Sequence, residues 1–429
     1  MRMTLALMGI ALVGGVSATA AQPAAGEARL AAAAVIQGRT LARLGVLGDA
    51  FSCSEARLVS FRRSNAEPEI TDQWYVASQL WADAVLLEAG QGLADWDPGD
   101  TRCQIDKGFV FLDRLWDYAN SGYFARANPV GTRVEVSPRF TDDNLVAGLA
   151  LLATARTTTT EPLSSARYVH AAQREADFLL RESGLWDTTF GGGFWWNTTH
   201  GETEEGKPAQ TNALAALFFA RLYDATGDPM YREWASRSLL WLDTILYEPS
   251  RHLYRWSVSF EDLKQKRGSV IHPRYFNYDQ SIAVEAGVEV AAIDGDAGHL
   301  ARARDVARAL HDAFWSRDGG GYNLEAGIEQ VYTSFGAWTS LGHLALYQRD
   351  RDPAWLDVAR SNADALATRL RESDEGYALR SYRCVDRVAP GCETGTVPVV
   401  VDRTRDTAAQ AWVQHLQTRL GMAEMAQAY

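Results

Sequence analysis

Apolar and polar positions along the chain alternate between two kinds of helix. Segments near 29 to 46, 104 to 119, 163 to 182, 229 to 246, 298 to 315 and 352 to 371 carry one apolar stripe and one charged side. In the third, Tyr168, Ala172, Ala176 and Leu179 share a face while Arg174, Asp177, Arg181 and Glu182 take the other, as a helix buried on one side requires. Between them lie segments near 72 to 89, 141 to 156, 208 to 226, 277 to 293, 332 to 348 and 405 to 420 that are apolar nearly all round, with charge mainly at their ends. Such helices have protein on almost every side. Strand signals are scarce, so the pattern predicts an all-α chain.

The apolar set recurs at intervals of 55 to 73 residues, the period of one helical hairpin. Turn chemistry repeats with it. Gly227-Asp228-Pro229 supplies a C-terminal glycine, an N-cap and a proline at the first helical position, and Asp352-Pro353 repeats the last two. Gly191-Gly192-Gly193-Phe194 and Gly319-Gly320-Gly321-Tyr322 stand at equivalent places two repeats apart. Six inner and six outer helices predict an (α/α)6 toroid, a barrel whose inner helices aim one set of ends into a common cleft. The alternative is an open helical solenoid. No linker divides the chain, so residues 22–429 are read as one domain.

Composition adds an address. Residues 1–21 pair Arg2 with an apolar run from Leu5 to Val16 and a small-residue ending, which reads as a cleaved export signal; twelve apolar residues are too few to span a bilayer. The mature protein is expected in a periplasm or outside the cell, as a monomer without a membrane span. Net charge is −12, and the acidity argues against nucleic acid as a partner. Four cysteines in an oxidising compartment suggest Cys53 with Cys103 and Cys384 with Cys392. No Cys-x-x-Cys or paired-His spacing suggests a metal, and nothing suggests an organic cofactor.

The candidate chemistry lies at the starts of the apolar helices. Asp142 and Asp143 open the segment Leu145–Ala155, so the first turn of a buried helix carries two adjacent acids. They could serve merely as N-cap and first-turn residues complementing the helix dipole. Two carboxylates in one enclosed place are also the apparatus of glycoside hydrolysis. Nearby loops bring aromatic and amide groups suited to sugar rings and hydroxyls: Trp74, Trp195, Trp196, Asn197, Lys207, Tyr278, Asp279 and Gln280, with His200 as the histidine candidate. Adjacent Trp195 and Trp196 cannot both bury on one face, so one of them is expected to face a ligand. Asn197-Thr198-Thr199 matches a glycosylation acceptor as well.

The stretch Gly191-Gly-Gly-Phe-Trp-Trp-Asn197, then Lys207, Asn212-Ala-Leu and Ala220-Arg-Leu-Tyr-Asp-Ala-Thr-Gly-Asp-Pro229, resembles glycoside hydrolase family 76. Its members are α-1,6-mannanases and related wall transglycosylases on an (α/α)6 barrel. The resemblance places Asp142 as nucleophile and Asp143 as general acid, then base, and adds Asn212 and the segment Asn277-Tyr278-Asp279-Gln280 to the substrate contacts. It departs at Asn144-Leu145-Val146, at Asn197-Thr198-Thr199-His200 and in an acidic insertion, Glu202–Glu205. The implied function is an exported retaining glycosidase acting on α-linked glycan, with endo-α-1,6-mannan as substrate. Transglycosylation on the same acids and non-catalytic glycan binding are the alternatives. Sugar epimerases would need paired histidine bases and uronide hydrolases a basic cleft. The inner helices offer no such histidine pair, and the mouth loops few basic residues.

Overall fold

The computed structural model describes residues 25–47, 58–90, 93, 96–157, 162–182, 184–317, 319–384 and 399–427. The stretch 1–21, expected to be an export signal, lies outside them, as do Cys53 and Cys392. Cys103 and Cys384 are not free thiols.

Twelve α-helices are found among the described residues: α1 (Ala25–Leu44), α2 (Gln73–Ala89), α3 (Pro98–Leu115), α4 (Thr141–Thr157), α5 (Pro162–Asp177), α6 (Ala209–Thr226), α7 (Pro229–Ile245), α8 (Asn277–Asp294), α9 (Ala297–Phe314), α10 (Thr333–Asp350), α11 (Pro353–Leu370) and α12 (Thr407–Gln427). The even-numbered helices are the apolar set. They pack in a ring, α2 on α4, α4 on α6, α6 on α8, α8 on α10, α10 on α12, and α12 back on α2. That last contact closes the barrel and excludes the open solenoid. Each odd-numbered helix backs an inner one, α1 lying against α12 so that the first helix completes the last hairpin.

The sequence pattern missed the short strands. Residues Thr71–Asp72 (β3), Arg126–Ala127 (β4) and Val134–Glu135 (β5) form one antiparallel sheet; Lys207–Pro208 (β6), Ser257–Ser259 (β9) and Val270–His272 (β10) form a second; Gln330–Tyr332 (β11), Arg380–Arg383 (β12) and Val399–Asp402 (β13) form a third. Gly45–Leu47 (β1) with Leu58–Phe61 (β2), and Tyr247–Glu248 (β7) with Leu253–Tyr254 (β8), make two-stranded ribbons. Strands of two to four residues leave too little periodicity to detect. Each three-stranded sheet feeds two inner helices, so the toroid's mouth is crowned by three small sheets.

The two rings begin their helices differently. Outer helices use aspartate caps: Asp97 accepts from Gly99 N (2.7 Å), Asp228 from Met230 N (2.9 Å), Asp296 from Gly298 N (2.7 Å) and Asp352 from Ala354 N (3.0 Å). Inner helices hand their first N–H to a backbone carbonyl of the crown. Gln73 N donates to Ala125 O (2.7 Å), Thr141 N to Trp196 O (2.7 Å), Ala209 N to Trp256 O (2.8 Å), Asn277 N to Leu324 O (3.0 Å), Thr333 N to Leu379 O (3.0 Å) and Thr407 N to Arg63 O (3.1 Å). A buried helix end must satisfy its orphan donors, and here the main chain does so. The side chains of the first turn are left free for other work.

Candidate active site

The first turns of the inner helices keep a common register. The fourth residue of α4, α6, α8 and α12 is an amide that clamps the backbone of the strand or loop behind it. Asn144 Oδ1 accepts from Tyr123 N (2.7 Å), Asn212 Oδ1 from Phe194 N (2.7 Å), Gln280 Oε1 from Tyr254 N (2.7 Å) and Gln410 Oε1 from Tyr377 N (2.9 Å). Their amide nitrogens return a bond to the carbonyl of that same residue, at 3.3, 3.2, 2.9 and 2.9 Å. Asn212 and Gln280 are thus fully buried, with both ends engaged by main chain, and do not reach the cleft.

The second residue points the other way. Trp74 in α2, Asp142 in α4, Gln210 in α6 and Tyr278 in α8 all line an inner chamber of about 190 Å3, together with Asp143, Leu214, Phe335 and Trp338. Trp74, Asp142 and Asp143 also line an outer chamber of about 500 Å3, walled by Arg63, Asp72, Tyr75, Arg126, Glu135, Phe140 and Trp196. The acid pair stands where the two chambers meet.

Asp142 Oδ2 accepts from Trp196 Nε1 (3.0 Å) and from the Gln210 amide, while its Oδ1 accepts from Asp143 N (3.1 Å). Burial pushes Asp142 up to about 6, and those donors restrain the rise by favouring its charged form. Asp143 is raised well above the ordinary carboxylate range, first by burial and then by the negative charges of Asp142 and Asp72; Arg126 opposes this. The two neighbours therefore separate in protonation, Asp142 ionising first. The first N–H of α4 is satisfied from outside the helix, Thr141 N bonding Trp196 O while Thr141 Oγ1 bonds Trp195 O (2.6 Å), so Asp142 serves the helix start only through its bond from Asp143 N. Capping of the chain end does not account for the pair.

Other residues singled out in the sequence divide. Trp196 lies tilted on Phe140 with centroids 4.8 Å apart, and Trp74 stacks on Phe335 at 6.0 Å. Trp195 is 1% exposed, donates Nε1 to Asp187 (2.9 Å) and packs against Phe190 and Phe260. Lys207 is 0% exposed; its ammonium bonds Asp187 Oδ1 (2.7 Å), Thr189 O (2.8 Å) and Gly192 O (2.7 Å) and lies 4.6 Å from the Trp195 ring. Burial lowers it to about 8. Asn197 closes a turn, accepting from Thr199 N (2.8 Å), and His200 rests 6.4 Å from the Trp195 ring. Asp279 is wholly buried and pushed well up by that burial. Trp195, Asn197, Lys207, Asn212, Asp279 and Gln280 therefore support the cleft from behind rather than line it.

The glycine run belongs to the same scaffold. Gly193 has φ +84, and a Cβ there would stand 2.4 Å from the Trp241 ring, so only glycine fits. Sequence reasoning passed over Gln210, Phe335, Trp338, Arg63 and Arg126. Gln210 was reachable, since it follows Asp142 by one hairpin in the same register. The two arginines come from a bend after β2 and from the two-residue strand β4. Among the described residues no group of three or more His, Cys, Asp or Glu could hold a metal ion, and no helix is long and apolar enough to cross a membrane.

Residues 131–341, spanning the acid pair, the glycine–tryptophan stretch and the start of α8, match the model of glycosyl hydrolase family 76. That segment carries a family 76 domain. It is a glycoside hydrolase. A family 76 α-mannanase from Bacteroides thetaiotaomicron superposes with a TM-score of 0.71 at 15% identity, over 93% of this chain and 96% of that one. The α-1,6-mannanase of Salegentibacter sp. gives 0.66 at 18%, over 92% and 99%; an inactive variant of it, with two adjacent aspartates changed to asparagine, forms a complex with α-1,6-mannotriose. A cellobiose 2-epimerase from Bacillus thermoamylovorans gives 0.64 at 11%, over 86% and 91%. At these identities the superpositions establish the toroid, which serves more than one chemistry. No curated protein matches the chain.

Proposed function

We propose that this family 76 chain is an exported, monomeric endo-α-1,6-mannanase that works with retention of configuration. The observation carrying the reading is the pair itself: adjacent carboxyls at the junction of two chambers, one ionising near pH 6 and the other held protonated well above the usual range. The mannanase names of the structural neighbours support the substrate, and an adjacent aspartate pair matters in the Salegentibacter enzyme too.

In the first step Asp142, oriented by Trp196 and Gln210, attacks the anomeric carbon. Asp143 gives its proton to the glycosidic oxygen, which leaves as an alcohol. A water then yields its proton to the Asp143 carboxylate and attacks the same carbon, releasing Asp142 and restoring the α configuration. Neighbouring residues on a helix place their side chains roughly 5 Å apart, which suits direct attack better than a mechanism that fits a water between the acids. Aromatic faces at Trp74, Trp196, Tyr278 and Trp338 suit the apolar sides of pyranose rings on either side of the bond cleaved.

The test is reducing-sugar release from unbranched α-1,6-mannan, with the anomer followed by NMR from the first turnover. Release of α-configured products, abolished in Asp142→Asn and Asp143→Ala, supports the reading. With an activated aryl mannoside, azide should rescue Asp143→Ala and yield the α-mannosyl azide. First-formed β products would sink the retaining mechanism, and inertness toward α-1,6-mannan alongside turnover of another α-glycan would move the substrate. Products longer than the starting oligosaccharide would indicate transglycosylation.

A further inference from the structure

Two carboxyls of the outer chamber, Asp72 and Glu135, are not used by the mechanism above, and of these Asp72 lies nearer the acid pair in the fold. It sits immediately before α2, and α2 packs directly against α4. The two helix starts are tied together, because Gln73 Nε2 donates to Asp143 O at 2.9 Å. Asp72 is 8% exposed, accepts from Trp74 N (3.2 Å) and faces Arg126 Nε across 3.6 Å. Asp72, Asp142 and Asp143 line one chamber.

We propose that Asp72 is a positioning residue of the active site whose negative charge keeps the proton on Asp143 and so sets the alkaline end of the working pH range. This rests on the assignment of Asp143 as proton donor. The charged and titratable groups that line the two chambers with Asp143 are Asp142 on its own helix, Asp72 and Tyr75 at the start of α2, Arg126 and Glu135 on the adjoining sheet, and Arg63 and Tyr278. Of these, Asp142 and Asp72 raise Asp143 while Arg126 lowers it. Burial raises Asp72 as well, but Arg63 and Arg126 pull it back and stabilise its charge. Asp142 must be ionised to attack, so it cannot be adjusted independently of the chemistry. Asp72 supplies a second negative charge with no bond-making duty, and Arg126 is its counterweight.

Asp72→Asn is a clean probe, since asparagine is as good an N-cap as aspartate and preserves the bond to Trp74 N. The Asp143 carboxyl can be titrated in the whole protein by 13C NMR, its resonance assigned by loss in Asp143→Asn, alongside the pH profile of kcat/KM on α-1,6-linked mannooligosaccharides. Removing Asp72's charge should lower the Asp143 midpoint and the alkaline limb together by about one pH unit, the order expected for a nearby unit charge in a partly buried site. Arg126→Gln should raise both. A folded Asp72→Asn protein whose midpoint stays put, or one that changes only KM, would overturn the proposal. A shifted carboxyl without hydrolysis of any glycan would uphold the coupling while retiring the hydrolytic role of Asp143; hydrolysis with an unshifted carboxyl would retire the coupling alone.

Discussion

The outer helix α7 and the inner helix α4 start on opposite principles. An outer helix such as α7 is closed by its own residues: Asp228 caps it, Pro229 begins it, and Gly227 at φ +71 ends the helix before. An inner helix such as α4 takes its cap from elsewhere, Thr141 N bonding the carbonyl of Trp196 some 55 residues on in the chain. The self-contained start uses its aspartate locally and gains stability. The borrowed start frees two aspartates to face a cleft, where burial raises both above the ordinary range. The same residue type thus caps α7 and, at the start of α4, faces a cleft, and what separates the two is who satisfies the backbone.

The contrast can be broken from its functional end first. Asp142→Ala should cut mannan hydrolysis by at least about 10^4-fold, as loss of a nucleophile does, with the thermal midpoint unchanged or raised because a buried charge has gone. A residual rate within tenfold of the parent would return the pair to a capping role. Asp143→Ala should cost about 10^2- to 10^4-fold on mannan and much less on an aryl mannoside whose leaving group needs no proton.

The amide register sharpens the comparison. Gln280→Ala leaves the buried N–H and carbonyl of Tyr254 without partners, and should cost about 2 to 4 kcal/mol of stability while the remaining folded protein keeps its kcat. Loss of kcat at full stability would instead assign Gln280 to the substrate. Gln210→Ala, one turn position away, should do the reverse. It removes a donor that favours the Asp142 carboxylate, so the acidic limb of kcat/KM, near pH 6 in the parent, should move to higher pH. Stability should change little, because Gln210 reaches into the chamber. The smallest effect belongs to the outer ring: Asp228→Ala should cost about 1 kcal/mol in a denaturant melt and leave the pH profile untouched.

Much of this was legible in the residues. Alternation of one-sided and all-round apolar segments determined twelve helices in two rings, since a helix's own periodicity records how much of its surface meets protein. The Asp-Pro starts marked the outer helices, because those caps are local in sequence. The adjacent acids and the Gly-Gly-Gly-Phe-Trp-Trp stretch located the site's neighbourhood and pointed to the family. Tertiary structure alone decided which neighbours face the cleft. Trp195 and Trp196 are adjacent, yet one buries against Lys207 and Phe260 while the other reaches Asp142. Lys207 and Asn212, polar residues following the glycine–tryptophan stretch, turned inward to satisfy main-chain groups that no sequence window contains. Arg63 and Arg126 entered the cleft from a bend and a strand too short to show a period. Which acid keeps its proton depends on Asp72 of β3 and Gln210 of α6, and such groups act through space rather than along the chain.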